Sequence, residues 1–375
     1  MIKKVKLENF KCFKNEEIEF RNLTILTGEN SSGKSSLIQA LLLIGNPKLG
    51  DFPYSAPDSL LINLYLESLK KLDDLVNKYT DKKSFRIEVD LYNFENISKI
   101  KTIYLIFDKI NSEDNVSFKF SENYTFPNEL TYSKNLFYLS ADRTRVKNSS
   151  TLAGKNNTNL FGVNGEFASS YFHFNKGNVV ENDLIKDDSS YTLENQVNFW
   201  LEAITGIKKL LINTEKMPDG NVMSYYNIDG FNFSPGNIGS GISYVVSILI
   251  LCLSAKKGDI IIIENPEIHL HPKSQAKLGE FFAFVASKGI QLIIETHNDH
   301  IINKICYEQF KGKLKEDEVV IQYRQDMNAH FEKIDIKKGQ FYNSKGENRF
   351  PEGFFDTTLK EIFAINEMNK QGDVC

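Results

Sequence analysis

The sequence predicts an α/β protein organised around a mostly parallel sheet, and three stretches carry that expectation. Leu23-Thr24-Ile25-Leu26-Thr27 reads as a buried strand that runs into a glycine-rich turn and then a helix from about Lys34 to Ile44. Between Gly236 and Ile305 the chain alternates apolar helix, apolar strand (Asp259–Glu264), helix (Lys273–Ser287) and apolar strand (Ile290–Glu295). Apolar strands that alternate with helices are the pattern of parallel strands covered on both faces. The strand–turn–helix lies near one end of the chain and the alternating segment towards the other. The sheet core is therefore expected from both ends, with residues 46–235 largely inserted between them.

Taken in order, residues 2–8 and 15–27 read as strands, and Asn46-Pro47 and Gly50 stop the first helix. Residues 57–80 have helical periodicity, and alternating strands are expected at 84–93 and 101–107. Leu136–Ala141 is another strand, and the Asn-, Ser-, Thr- and Gly-rich stretch 147–165 reads as a loop. Residues 191–212 look helical, with Trp200 and Leu201 facing inward. From Val319 a β-rich cap is expected, then a short helix and a polar tail. The corresponding division is 1–145, 146–235 (loop and helical insert), 236–310 and 311–375 (small C-terminal cap).

Bulk composition narrows the function. With 41 % hydrophobic and 25 % charged residues and a formal charge of −4, the chain has the balance of a soluble globular protein without a broad basic coat for nucleic acid. Its four cysteines are scattered with no CxxC pair, which fits reduced thiols rather than a disulfide framework or zinc site. The N-terminal MIKKVKLENFKCF lacks the continuous apolar core of a signal peptide, and the longest apolar run, near Tyr244–Ala255, is short of the roughly 20 residues that span a bilayer. A cytoplasmic protein with no membrane partner is the expectation.

The chemistry concentrates in four places. Gly28-Glu29-Asn30-Ser31-Ser32-Gly33-Lys34-Ser35 fits G-x-x-x-x-G-K-[ST] between a strand and a helix. Two glycines let the backbone point several N–H groups at one phosphate, and the helix N-terminus adds favourable potential for an anion. Lys34 can bridge the β- and γ-phosphates of ATP and the Ser35 hydroxyl can ligate Mg²⁺, with Asn30, Gly33 and Ser36 completing the cradle. No guanine-reading N-K-x-D accompanies it. Ile260-Ile261-Ile262-Ile263-Glu264 is an apolar strand ending in a carboxylate, the group needed to hold the Mg²⁺ shell.

The next strand runs into Glu295-Thr296-His297, placing a histidine where it can sense the γ-phosphate and orient the attacking water. Asn237-Ile238-Gly239-Ser240-Gly241-Ile242-Ser243 opens the helix before the Glu264 strand, so Ser240 is either an N-cap or a contact to a γ-phosphate held by a second subunit. Glu267, His269 and His271 invite a metal-site reading, but no further ligand cluster is near in sequence. Arg143, Arg145 and Lys147 form a small basic cluster after a strand. Surface salt bridges are its ordinary explanation, and phosphate, nucleic acid or a partner its functional one.

Together these residues resemble the ABC/SMC-type ATPase heads, in particular bacterial and archaeal ATPases related to the overcoming-lysogenization-defect proteins and to the ATPase subunits of Septu-like anti-phage systems. The carriers are NFKCF at 9–13, GENSSGKSS at 28–36, IGSGIS at 238–243, IIIIENPEIHLHP at 260–272 and IIETHNDH at 293–300. YLSADR at 138–143 and FPEGFFD at 350–356 look like a subfamily whose C-terminal domain has no assigned function. The resemblance implies an ABC/SMC-type head with a mostly parallel sheet core, a β-rich subdomain and a helical insert. It makes 28–35 the Walker A loop, Ser240 and Gly241 the signature, Glu264 the Walker B acid and His297 the switch histidine.

Two departures bear on the chemistry. The signature is S-G-I-S rather than S-G-G-Q, and Asn265 stands where ABC ATPases usually carry the catalytic glutamate. Asparagine cannot accept a proton from water, so either Glu267 substitutes or turnover is slow. The expected function is a slow ATPase that dimerises around ATP and controls a separately encoded effector, such as a nuclease, in anti-phage defence or DNA repair; nucleic acid is a further partner class. A non-hydrolysing nucleotide switch or scaffold and an ABC transporter subunit are the alternatives. About 70 residues follow the His297 region, short of the ~100–150 typical of a domain, and the stretch lacks a carboxylate cluster for two metals. The chain is therefore expected to cut nothing by itself.

Overall fold

The computed structural model describes residues 1–45, 74–93, 96–109, 116–120, 130–132, 134–143, 149–150 and 161–351. The expected helix at 57–80 lies outside these residues as far as 73, and its described remainder, 74–80, is turns and a bridge rather than α-helix; most of the 147–165 loop, Arg145, Lys147 and most of the FPEGFFD stretch also lie outside.

The N-terminal strands are β1 (Ile2–Phe10), β2 (Phe13–Glu19) and β3 (Leu23–Gly28), and helix α1 follows at Lys34–Ile44. Strands β4 (Ser84–Asn93), β5 (Asn96–Lys109), β6 (Val116–Phe120), β7 (Leu136–Leu139) and β8 (Ser149–Ser150) come next. Then come α2 (Ala168–Asn175), α3 (Leu193–Thr205), β9 (Leu210–Lys216), β10 (Val222–Ile228), β11 (Phe231–Phe233) and α4 (Ser240–Ser254). The last part is β12 (Ile260–Glu264), α5 (Pro272–Ala286), β13 (Gln291–Glu295), α6 (Asp299–Phe310), β14 (Val319–Arg324), β15 (Glu332–Lys337) and β16 (Gln340–Tyr342).

The centre is a seven-stranded sheet in the order β16-β15-β14-β3-β13-β12-β7. Its five strands from β14 to β7 are parallel. Along these strands alternate side chains enter different cores, as the two-residue pleat requires. Leu23, Ile25, Ile261, Ile263, Leu292 and Ile294 pack towards α3, α4, α5 and α6. Leu26, Ile260, Ile262 and Ile293 pack towards α1 and a second, antiparallel sheet in the order β2-β1-β4-β5-β6. Burial on both faces is why IIIIE and QLIIE read as largely apolar runs rather than alternating ones.

Three expectations change. The stretch from Val319 is no separate cap: β14 pairs in parallel with β3, Val319 opposite Leu23 through Arg324 opposite Gly28, so it is an inner strand of the central sheet. The helix expected over 191–212 ends at Thr205, because Gly206 takes φ 72° and its N–H caps Glu202 O. The residues beyond it open β9, which joins β10, β11 and β8 in a small antiparallel sheet, so the insert is helical and β-stranded together. The third concerns residues 15–27, which form two strands, β2 and β3, separated at 20–22. Trp200 does face in: it is buried and meets the Phe281 ring edge-on at 5.0 Å.

Candidate functional site

The parallel strands all deliver their C-terminal ends to one edge of the sheet, the place where open α/β sheets bind ligands. β3 ends in the 28–33 loop, β13 in Glu295-Thr296-His297, β12 in Glu264-Asn265 and β7 in the 140–143 turn.

The loop is built against β14. Gly28 has φ 131°, and a Cβ there would collide with the carbonyl oxygen of Arg324; Gly33 has φ 106°, and a Cβ there would lie 2.6 Å from Cys12 Sγ. Glycine is thus required at both positions for conformation and space. Arg324 supports the loop from beneath. Its buried guanidinium donates to Ser32 O at 2.6 Å and to Ala329 O at 2.7 Å, and stacks 4.4 Å from the Phe13 ring centre. The sequence reading missed this residue, whose nearness to the loop depends on the β14–β3 pairing.

Lys34 is buried at the start of α1. Its ammonium donates to Glu29 O at 2.7 Å, Gly28 O at 3.2 Å and Ser32 Oγ at 3.3 Å. Burial lowers its pKa, and the Glu295 carboxylate opposes that shift. Asn30 and Ser35 are exposed at the mouth of the cradle, and Ser36 is partly covered.

Three carboxyl groups gather opposite. Glu264 Oε2 accepts the Ala141 N–H at 3.2 Å, and burial raises its pKa. Glu295 is 7 % exposed and is approached by Ser35 Oγ at 3.4 and 3.5 Å. Burial first, and the Glu264 charge second, push its carboxyl up to about 7. Glu267 Oε1 accepts the His297 N–H at 3.4 Å, while Oε2 is buried without a partner, and burial raises this pKa also. His297 is exposed as a residue, and the partial desolvation of its ring, then the Lys34 charge, lower its pKa.

The end of β12 is held by Arg143, for which the sequence leaves a surface salt bridge and a functional contact both open. It is 3 % exposed and donates to Ser140 O at 3.0 Å, to Glu264 O, and to Asn265 O at 2.6 Å. Asn265 sits at φ 41°, a left-handed conformation that asparagine tolerates better than glutamate, and its N–H donates to Glu295 O at 2.8 Å. Geometry therefore gives the asparagine a local reason.

The structure brings Lys34, Ser35, Glu264, Glu267 and His297 to one edge, and adds Glu295, Arg143 and Arg324. It does not tie Ser240 and Gly241 to the cradle. Among the described residues, no hydrogen bond or ion pair joins them to the 28–35 loop. Gly241 packs where a Cβ would collide with His269 O, so this glycine seats α4 on the 265–271 turn. The His269–His271 metal reading finds no support. His269 stacks on Tyr244 with ring centres 5.4 Å apart, and His271 caps α5 by accepting the Lys273 N–H at 3.3 Å.

Among the described residues no three His, Cys, Asp or Glu side chains could hold a metal by themselves. An Mg²⁺ arriving with a nucleotide needs only one or two protein oxygens, because phosphates and water fill the rest of its shell. A hydroxyl, buried carboxyls with raised pKa values and the unpartnered Glu267 Oε2 are a hard-oxygen donor set that fits such an ion. No helix among the described residues is long and apolar enough to cross a membrane.

Comparison with known proteins agrees with this architecture. A curated Helicobacter pylori protein described as an ATP/GTP phosphatase is 52 % identical over 42 residues, a match that spans only 11 % of each chain. A solved SMC head bound to the C-terminal winged-helix domain of ScpA aligns over 90 % of this chain and 98 % of its own, with a TM-score of 0.56 at 12 % identity. An SMC head with an extended coiled coil, bound to the ScpA C-terminal domain and derived from Pyrococcus furiosus, aligns over 97 % and 99 % with a TM-score of 0.54 at 10 % identity. At such identities the likeness establishes an SMC-head fold. The family described as "AAA domain, putative AbiEii toxin, Type IV TA system" matches residues 23–303, which run from the P-loop strand to α6, and the chain belongs to this family of P-loop ATPase domains.

Proposed function

We propose that the chain binds ATP with Mg²⁺ at the edge formed by β3, β13 and β12, hydrolyses it slowly, and closes on a second copy around the nucleotide to control a separate effector. The observation that carries this reading is the convergence of Lys34, Ser35, Glu264, Glu267 and His297 on one sheet edge from segments more than 200 residues apart.

In this reading the N–H groups of 30–36 and Lys34 take the phosphates, and Lys34 exchanges the carbonyls of Gly28 and Glu29 for phosphate oxygens. Ser35 and Glu264 are the residues the resemblance assigns to Mg²⁺, which when bound neutralises charge on the β- and γ-phosphates. Asn265 cannot take a proton, so the water that attacks the γ-phosphorus is left to Glu267 and His297. Glu267 has a buried oxygen without a partner, and burial raises its pKa towards neutrality, where a general base works best. The attacking water gives its proton to Glu267 while the bond to the β-bridging oxygen breaks. His297, held next to Glu267 through its own N–H, faces the γ-phosphate.

Among the described residues Ser240 and Gly241 make no hydrogen bond or ion pair to the P-loop, which suits a trans contact to the γ-phosphate of a second copy. The structurally similar SMC heads were solved with a separate ScpA domain, and the family description names a toxin of a type IV system. Both favour a head that works with another protein, as in anti-phage defence. Asn265 favours a second reading, a nucleotide switch that does not hydrolyse, and a sensitive phosphate-release assay separates the two.

The test of the first step is calorimetry with ATP. Lys34→Ala is expected to abolish or greatly weaken binding while circular dichroism stays native. Unchanged affinity in the folded variant contradicts the site.

A further inference from the structure

Two carboxylates stand level on neighbouring parallel strands, yet they keep different company. Glu264 and Glu295 are register partners at the ends of β12 and β13. β13 lies between β12 and the P-loop strand, with Glu295 level with Leu26 of β3. Glu295 is thus one strand spacing from the P-loop strand and Glu264 two, or roughly 5 and 10 Å.

The side chains follow that arrangement. The Glu264 carboxyl is engaged from the β7 side by the Ala141 N–H at 3.2 Å and by Tyr138. The Glu295 carboxyl meets the cradle: Ser35 Oγ lies 3.4 Å from one oxygen and 3.5 Å from the other, and the Lys34 charge acts on it. These separations are long for a hydroxyl–carboxylate hydrogen bond. They lie within about half an ångström of the roughly 3.0 Å that separates neighbouring oxygens at about 2.1 Å in an octahedron, so a small shift seats both on one small cation. Glu295 is nearly buried, level with Glu264 across the β12–β13 pairing and against Ser35. A carboxylate so placed calls for a cation, and Lys34 is committed to the loop carbonyls and, in the nucleotide-bound form, to phosphate.

We propose that Glu295 is the carboxylate that faces the divalent cation alongside Ser35, while Glu264 acts behind it by fixing the turn after β7. The proposal rests on the nucleotide reading above and changes which acid serves the metal. It also gives a role to a residue of the IIETH segment other than His297.

The test is Mn²⁺ binding to the complex of the protein with a non-hydrolysable ATP analogue, followed by electron paramagnetic resonance. Analogue binding is measured separately in EDTA. Glu295→Gln keeps the shape of the side chain and is expected to weaken Mn²⁺ binding by about tenfold or more, with EDTA-state analogue binding retained. Glu295→Asp keeps the charge and is expected to lose less, and Glu264→Gln to lose less than Glu295→Gln. Thermal melting shows that each variant is folded. A Glu295→Gln protein that binds Mn²⁺ within less than tenfold of the unmodified chain overturns the proposal, as does a larger loss in Glu264→Gln. Failure of the unmodified chain to bind the analogue both in EDTA and with Mn²⁺ instead removes the nucleotide reading, and this proposal with it.

Discussion

Arg143 and Asn265 are joined by a 2.6 Å hydrogen bond from the guanidinium Nη2 to the peptide oxygen, and this contact locks the left-handed turn that carries Glu267 back towards His297. The guanidinium is buried beside Glu267 and Glu264, and burial lowers its pKa to about 10. It is therefore still charged at neutral pH. Arg143→Lys is expected to lower ATP turnover about 10-fold or more, because an ammonium lacks the planar fork that spans the Ser140, Glu264 and Asn265 carbonyls, with ATP affinity little changed. Loss of positive charge next to Glu267 in Arg143→Gln moves the acid limb of the pH–rate profile upward. An unchanged kcat and an unshifted profile in both variants show that the arginine serves the fold alone.

Glu267→Gln separates binding from chemistry. The substitution removes a proton acceptor whose loss typically costs about 10²–10⁴-fold in rate, and it leaves the cradle at 28–35 untouched. Single-turnover phosphate release is expected to fall in that range with ATP affinity retained. An unaltered rate takes Glu267 out of the mechanism and shifts suspicion to His297.

The carboxyl cluster gives a pH signature to the nucleotide-free protein. The folded-state pKa of Glu295 is raised from 4.5 to about 7, so the folded protein holds this proton more tightly than the unfolded chain. Stability is consequently lost as pH rises from about 4.5 through 7, and none is lost below 4.5, where both states are protonated. Glu295→Gln removes the effect. It is expected to stabilise the protein by roughly 1–3 kcal/mol at pH 8, with the gain vanishing at pH 4.5. Denaturant titrations at the two pH values decide this; a destabilised variant at pH 8 contradicts the sign.

How much of this was legible beforehand follows from sequence distance. Helix α1 begins and ends where expected, at Lys34 and Ile44, because strand, glycine turn and helix are local features of some 20 residues. Glu264, Glu267 and His297 reach the site because each closes or follows an apolar strand, again a local pattern. Glu295 went unremarked two positions before His297, since its importance lies in β13 being the strand between β3 and β12. Between a surface salt bridge and a functional contact the sequence cannot choose for Arg143, because nothing in YLSADR reveals that β7 pairs with β12 more than 120 residues later. The same non-locality turned β14, an inner strand opposite β3, into an apparent cap.

The trans contact has its own test. Ser240 opens α4 and, among the described residues, makes no hydrogen bond to the cradle of its own chain, while Gly241 seats that helix on His269 O. Ser240→Arg is expected to block association driven by a non-hydrolysable ATP analogue while each copy still binds the analogue. Light scattering that finds the variant as dimeric as the unmodified chain removes Ser240 from the interface.

The central claim is that ATP is bound and turned over at the 28–35 cradle. Its most direct test is phosphate release from saturating ATP and Mg²⁺ by the purified chain and by Lys34→Ala, each shown folded by its melting transition. The account predicts slow release, well below the roughly 10 s⁻¹ of a typical enzyme, that disappears in Lys34→Ala. Release at the same rate from both proteins would contradict it.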